Sequence, residues 1–153
     1  MKRILGVDGG GTRTRAVLAD ADGRILASAT GDSINPRHYD REVLRERLEA
    51  LCVAVRGDHG DVDAAFLALG GVSTAADAAE VHTIARGVAA LAGAHITVDN
   101  DARAALSGGL AGRPGMVLIA GTGSACLGIA ADGRRWWCGG WEALADDAGS
   151  AYW

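Results

Sequence analysis

Near the start of the chain an aspartate, three glycines and a threonine follow one another at the end of an apolar stretch. The segment reads Leu5-Gly6-Val7-Asp8-Gly9-Gly10-Gly11-Thr12, and Arg13 to Asp20 then resumes a strand-like pattern. Each glycine weakens a strand and costs backbone entropy, so packing gives no reason for three of them. A backbone that turns tightly and brings its N–H groups close to an anion does give one. Thr12 adds a hydroxyl donor, and Asp8 at the strand end can hold a hydrated cation. The segment therefore predicts a phosphate hairpin, strand–loop–strand, with a magnesium-side carboxylate. An ordinary Gly-rich hairpin is the competing reading.

A second loop of the same kind strengthens the first. Met116 to Ala120 has a buried-strand pattern, Gly121-Thr122-Gly123-Ser124 follows, and Ala125 to Ala130 resumes the strand. Neither loop matches the G-x-x-x-x-G-K-[ST] pattern, and neither opens a helix as a dinucleotide-binding loop must. Two such hairpins far apart in one chain are best explained by one triphosphate held between them.

Composition narrows the classes. With 153 residues, 49% of them hydrophobic, the chain has one domain's worth of core. A net charge of −4 and the lack of any arginine cluster argue against a nucleic-acid partner. Asp8 interrupts the first apolar stretch too early for a signal peptide, and no run reaches the length of a membrane span. Cys52, Cys126 and Cys138 have no C-x-x-C spacing. They read as reduced, mostly buried thiols of a cytoplasmic protein rather than metal ligands.

The elements that must position these loops are legible in outline. Asp22-Gly23 marks a turn, and Arg24 to Ala29 returns as a third strand, making an antiparallel meander. Val43, Leu44, Leu48, Leu51, Cys52 and Val55 recur at helical spacing from Arg41 to Arg56, with Asp40 as N-cap and Gly57 as stop. The charges from Arg41 to Glu49 read as a solvated face. Ala64 to Leu69 is a buried strand ending in Gly70-Gly71. A second helix follows, capped by Asp77 with Glu80 three residues on, carrying Val81, Ile84, Ala85, Val88 and Leu91 and closed by Gly93. His95 to Val98 is a fifth strand running into Asp99-Asn100-Asp101, and Ala102 to Leu106 is a short helix ended by Gly108-Gly109. Early antiparallel strands followed by βαβ units predict an α/β fold, a mixed five-stranded sheet flanked by helices. Trp136 and Trp137 read as surface that buries against a partner lobe.

Taken together, Gly6 to Thr12, Asn100-Asp101-Ala102, Gly121 to Ser124, Gly139-Gly140-Trp141 and Gly149-Ser150-Ala151-Tyr152-Trp153 resemble the N-acetylglucosamine kinase family. That family stands with the BadF/BadG/BcrA/BcrD ATPases in the actin/hexokinase/Hsp70 superfamily, and the motifs run in family order to residue 153. The resemblance implies an ATP-dependent amino-sugar kinase made of two ribonuclease-H-like lobes, this chain being the first lobe of the actin-like ATPase fold. Residues 139–153 would then lead toward a second lobe that carries the adenosine motif. By the same resemblance Asp8 would stand near Mg2+. Gly10, Gly11, Thr12, Thr14, Gly123 and Ser124 would hold phosphates of ATP. Asn35, Asp101, Thr122, Gly140, Trp141 and Asp147 would line the amino-sugar site, and Asp101 would be the catalytic base. Four positions depart from the family pattern: Glu142 and Asp146 where glycines are usual, Ala148 where a glutamate is usual, and Ala125 where an asparagine often stands.

The chemistry asks little of the protein beyond positioning, charge neutralisation and acceptance of one proton. Asp101 follows a strand and precedes a helix, so it points into a crevice at a carboxyl edge, where the helix start favours its ionised form. Asp99 is the rival base, and a plain N-cap is the alternative role for Asp101. Trp141 either stacks on a sugar face or packs in the core. His38, His59, His82 and His95 are scattered and read as surface or helix residues. Two other functions compete: an activator-type ATPase of radical dehydratases, which needs clustered cysteines for a bridging iron–sulfur cluster, and a non-catalytic sugar-sensing domain.

Overall fold

Alternation decides the first sheet. In β1 (Arg3–Gly9) Leu5, Val7 and Gly9 are buried, whereas Ile4, Gly6 and Asp8 point to the other face and are exposed. β2 (Arg13–Asp20) repeats the pattern with Thr14, Ala16, Leu18 and Asp20 buried. The computed structural model describes residues 1–121 and 123–140. The chain divides into two units, Met1–Asp101 and Ala102–Trp153.

In the first unit, β3 (Ile25–Asp32), β4 (Ala64–Leu69) and β5 (His95–Asp99) complete a five-stranded sheet of order β3-β2-β1-β4-β5. β1, β2 and β3 form the expected antiparallel meander, and β4 and β5 join it in parallel. The two parallel joins need crossovers, which α1 (Arg41–Arg56) and α2 (Ala75–Arg86) supply. Leu44, Leu48, Leu51, Cys52 and Val55 of α1 and Val81, Ile84 and Ala85 of α2 share one core with Leu5, Val7, Leu18, Leu67, Leu69 and Ile96. Both helices therefore cover the same sheet face.

The caps correct one expectation. Asp40 does cap α1, its carboxylate accepting from the Val43 N–H at 3.0 Å, and Gly57 ends it. The α2 cap, however, is Thr74, with Asp77 as its reciprocal partner three residues on. Asp77 Oδ2 accepts from the Ser73 and Thr74 N–H groups at 2.9 and 2.8 Å, and the Asp77 N–H donates back to Thr74 Oγ1 at 3.1 Å. The capping box thus sits three residues earlier than Asp77–Glu80 suggested. α2 also stops at Arg86. Ala89–Leu91 form a separate 3-10 turn whose first N–H groups, on Ala89 and Ala90, donate to the Glu49 carboxylate at 2.6 and 3.2 Å. Part of the charged face of α1 is therefore engaged rather than merely solvated.

The second unit joins most of α3 (Asp101–Leu110) to a three-stranded antiparallel sheet of order β6-β7-β8. β6 is Gly115–Ala120, β7 is Ser124–Ile129 and β8 is Arg135–Gly139. Ala102 and Leu106 pack with Leu127, joined by Leu110, Val117, Ile119 and Ile129. α3 does not end at Gly108-Gly109 but passes through both, closing at Leu110 before Ala111 and Gly112 turn the chain. β8 carries Trp136 and Trp137, which stand 54% and 40% exposed.

The Ser73 N–H first, then the Thr74 N–H and hydroxyl and the Arg37 charge, hold the Asp77 carboxyl below its usual 3.8, against opposing desolvation. A lowered folded-state value contributes stability above the unfolded pKa and loses it as pH falls through the folded one. Thr74→Ala should cost about 1 kcal/mol and lower the melting temperature by roughly 2–4 °C. Melts of the wild type and Asp77→Asn should differ at neutral pH and converge well below pH 3.8. A constant difference across that range would remove the box from the account.

Candidate functional site

Parallel pairing brings three loops to one edge of the first sheet. β1, β4 and β5 all end there, at Gly9, Leu69 and Asp99, and in register Gly9 lies opposite Leu69 and Ala68 opposite Asp99. The pairing continues past the strands, for the Gly70 N–H donates to the Gly9 carbonyl at 2.7 Å. Chain ends at the carboxyl edge of parallel strands are where α/β folds build their sites.

The glycines of the first loop differ in what they do. A Cβ on Gly9 would sit 2.5 Å from Leu69 Cδ2 and 3.1 Å from Ile34 Cγ1, so packing does require this glycine, contrary to the sequence expectation. A Cβ on Gly10 would meet only the Arg13 carbonyl, at 3.5 Å, and one on Gly11 nothing within 4 Å. Neither has the left-handed backbone that favours glycine. Neither the fold nor the backbone demands glycine at 10 and 11, which leaves open backbone that a ligand can approach. The Gly10 N–H donates to the Arg13 carbonyl at 3.0 Å and closes the hairpin. Thr12 is exposed beside it. Thr14 is fully buried, and its hydroxyl donates to the Asp32 carbonyl at 2.9 Å. Asp8 stands on the exposed face of β1, opposite Arg15 in register.

Ser33 ties this loop to a second one. It is buried, its Oγ donates to the Gly10 carbonyl at 2.9 Å, and the same oxygen accepts from the Asn35 N–H at 3.3 Å. Arg47 of α1 holds the loop from below: its guanidinium donates to the Ser33 carbonyl at 2.6 Å and lies over the Tyr39 ring at 4.0 Å. Asn35 is buried, and its Oδ1 accepts from the Arg37 N–H at 2.9 Å. Arg37 reaches across to the Gly71 carbonyl at 3.2 Å and to Ser73 Oγ at 3.1 Å.

Gly70-Gly71 is where the predicted residues meet. A Cβ on Gly70 would stand 3.2 Å from Asp101 Oδ2, and one on Gly71 would collide with Asn35 Oδ1. Gly71 also has φ +87°, where a side chain is strained. Asn35 and Asp101, far apart in sequence, therefore flank one dipeptide. Asp101 opens α3, and Asn100 anchors the turn before it by donating to the Val72 carbonyl at 2.7 Å. The Asp99 carboxylate accepts the Asn100 N–H at 2.8 Å. Sequence reasoning left out Ser33, Arg37, Gly70 and Gly71; the paired glycines directly after a strand were the available signal.

The second loop lies in the other unit. The Gly121 N–H donates to the Gly123 carbonyl at 2.9 Å, and Ser124 opens β7 opposite Ala120. Gly140 has φ +80° with the Trp137 ring 3.4 Å from where its Cβ would be. Thr122, Trp141 and Asp147 lie outside the described residues, as do Glu142, Ala148 and the helix expected from Gly149. Among the described residues no group of three or more His, Cys, Asp or Glu side chains could hold a metal ion.

A family model matches residues 5–153, nearly the whole chain. The chain belongs to the BadF/BadG/BcrA/BcrD ATPase family. It is 30% identical to an N-acetylmuramic acid/N-acetylglucosamine kinase of Clostridium acetobutylicum, across 99% of this chain and 50% of the relative. It is 33% identical to an N-acetyl-D-glucosamine kinase of Dictyostelium discoideum, across 97% of this chain and 50% of the relative. The crystal structure of a candidate N-acetylglucosamine kinase from Chromobacterium violaceum matches it with a TM-score of 0.81 at 26% identity, over 100% of this chain and 54% of the other. The family expected from the motifs and the α/β, actin-like ATPase fold both hold. The chain spans about half the length of the curated relatives it matches. No helix among the described residues is long and apolar enough to cross a membrane.

Ser33→Ala would leave the buried Asn35 N–H and the Gly10 carbonyl without this partner, at a cost of about 1–3 kcal/mol. Ser33→Thr retains the hydroxyl and should recover much of it. The check is thermal unfolding of both variants; equal losses would mean that the hydroxyl does not tie the two loops.

Proposed function

We propose that this chain supplies the sugar-orienting and phosphate-binding part of an ATP-dependent amino-sugar kinase. The observation that carries the reading is the meeting of Asn35 and Asp101 at Gly70-Gly71, one hydrogen bond away from a glycine loop with open backbone. The activities of the two curated relatives agree with it.

In this reading Asn35 and Asp101 orient an acceptor sugar, N-acetylglucosamine or glucosamine in type, against the dipeptide. The Asp101 carboxylate takes the proton from the attacking hydroxyl, late in the transfer, while the start of α3 favours its charged form. The Gly11 N–H and the Thr12 hydroxyl face the phosphates, with the Gly10 Cα leaving room for their approach, and Gly123 and Ser124 do the same from the second loop. Magnesium would supply charge neutralisation on the phosphates. It is commonly held by one or two carboxylates plus phosphate oxygens, which suits the single Asp8. Gly140, Thr122, Trp141 and Asp147 complete the sugar side. The adenosine end of the nucleotide is held by further polypeptide, either a second lobe or another copy of the chain, and the reaction takes place in the cytoplasm.

Two substitutions test this in the protein expressed from its native gene, assayed with ATP, magnesium and several hexosamines. Asp101→Asn should leave sugar binding nearly intact and lower turnover by roughly 10²–10⁴-fold. Near-normal turnover would remove Asp101 from the mechanism. Gly10→Ala has room in the fold, so its melting temperature should stay at the wild-type value while nucleotide binding weakens and sugar binding does not. Unchanged nucleotide affinity would show that no phosphate approaches this loop.

A further inference from the structure

The sheet of the second unit brings together two cysteines that are well separated in sequence. Cys126 of β7 and Cys138 of β8 are direct register partners in the antiparallel ladder. Residues directly opposite in such a ladder have Cα atoms about 4.5 or 5.5 Å apart and side chains on the same face. A disulfide needs Cα atoms about 4.4–6.8 Å and Cβ atoms about 3.5–4.5 Å apart. The Ala130 N–H donates to the Arg134 carbonyl at 2.9 Å, which puts Cys126 and Cys138, in the same register, among the hydrogen-bonded pairs. Their Cα atoms are within range, and their Cβ atoms must draw together slightly, so the bond would be strained and readily reduced. Both cysteines are free thiols, Cys138 exposed and Cys126 half-buried. This differs from the expectation of mostly buried thiols, which only Cys52 meets fully.

We propose that Cys126 and Cys138 form a reversible redox-modification site, closed to an intramolecular cross-strand disulfide by hydroperoxides. The exposed Cys138 thiol reduces one peroxide O–O bond, becoming a sulfenic acid as one water leaves. The Cys126 sulfur then attacks the Cys138 sulfur, the S–O bond breaks, and a second water leaves with the Cys126 proton. Two thiols are oxidised and one hydrogen peroxide is reduced to two waters. The bond would staple β7 to β8 at a defined place. Cys126 lies two residues after Ser124 of the second glycine loop, and Cys138 two residues before Gly140. The same ladder aligns Ala125 with Gly139, so the staple would set the spacing between those two segments. The inference stands independently of the proposed activity.

Cys52 provides an internal control. It is 1% exposed, and burial first, then the Glu49 charge, pushes its thiol up to about 12, so it should remain unreacted in the folded protein. The whole chain is treated with hydrogen peroxide, blocked with an alkylating agent under denaturing conditions, and mapped as peptides without reduction. The expected product is a Cys126–Cys138 cross-link, lighter by two hydrogens and reversed by dithiothreitol, with Cys52 alkylated. Amide exchange across β7 and β8 should slow in the oxidised form. Cys126→Ser should abolish the link and drive Cys138 up the oxidation ladder or into a dimer between chains. A wild-type product set with Cys138 oxidised alone, with a link between chains, or with both thiols intact would overturn the proposal.

Discussion

Parallel pairing of β1 with β4 is the constraint on which the first unit depends. It places the carboxyl ends of β1, β4 and β5 along one edge and lets the ladder run one step beyond the strands, through the bond from Gly70 to Gly9. That bond draws two glycine-bearing turns together. Gly9 leaves room for the Leu69 and Ile34 side chains, which a Cβ there would displace. If β4 lay antiparallel to β1, its far end would face the other edge, and Gly70-Gly71 would be a strand length away from the loop.

Polar side chains then add to apolar packing in fixing the connecting loops. Ser33 joins the first glycine loop to Asn35, Arg47 holds the Ser33 carbonyl, and Glu49 caps the 3-10 turn after α2. Arg47 and Glu49 both belong to α1, whose apolar stripe fills the core. One helix thus serves two ends: its leucines hold the sheet, and its charges hold the connections. The cost of a lost buried hydrogen bond exceeds the gain from a made one, so such ties act mainly by excluding other loop conformations.

Among the described residues of the second unit the core is Ala102, Leu106 and Leu127 with four half-buried neighbours. Its sheet repeats in miniature the meander of the first, a strand, a glycine–hydroxyl loop, and two further antiparallel strands.

Much of this was legible in the chain itself. Alternation and helical periodicity depend on neighbours along the backbone, so β4 was delimited at Ala64 and Leu69 and α1 at Arg41 and Arg56 from residue types alone. The family could be read from motifs because glycines and aspartates in fixed order mark chemistry whatever surrounds them. What depends on residues distant in sequence was not legible. Thr74 outranked Asp77 as a cap through a reciprocal bond that spacing leaves ambiguous, and α3 ran through two glycines because Leu106 and Leu110 pack on the sheet. Gly9 and Gly10 are identical letters, yet one is required by a leucine sixty residues on and the other by nothing in the fold. The pairing of Cys126 with Cys138 and the meeting of Asn35 with Asp101 are likewise products of register and topology, since only the folded sheet decides which loops share an edge.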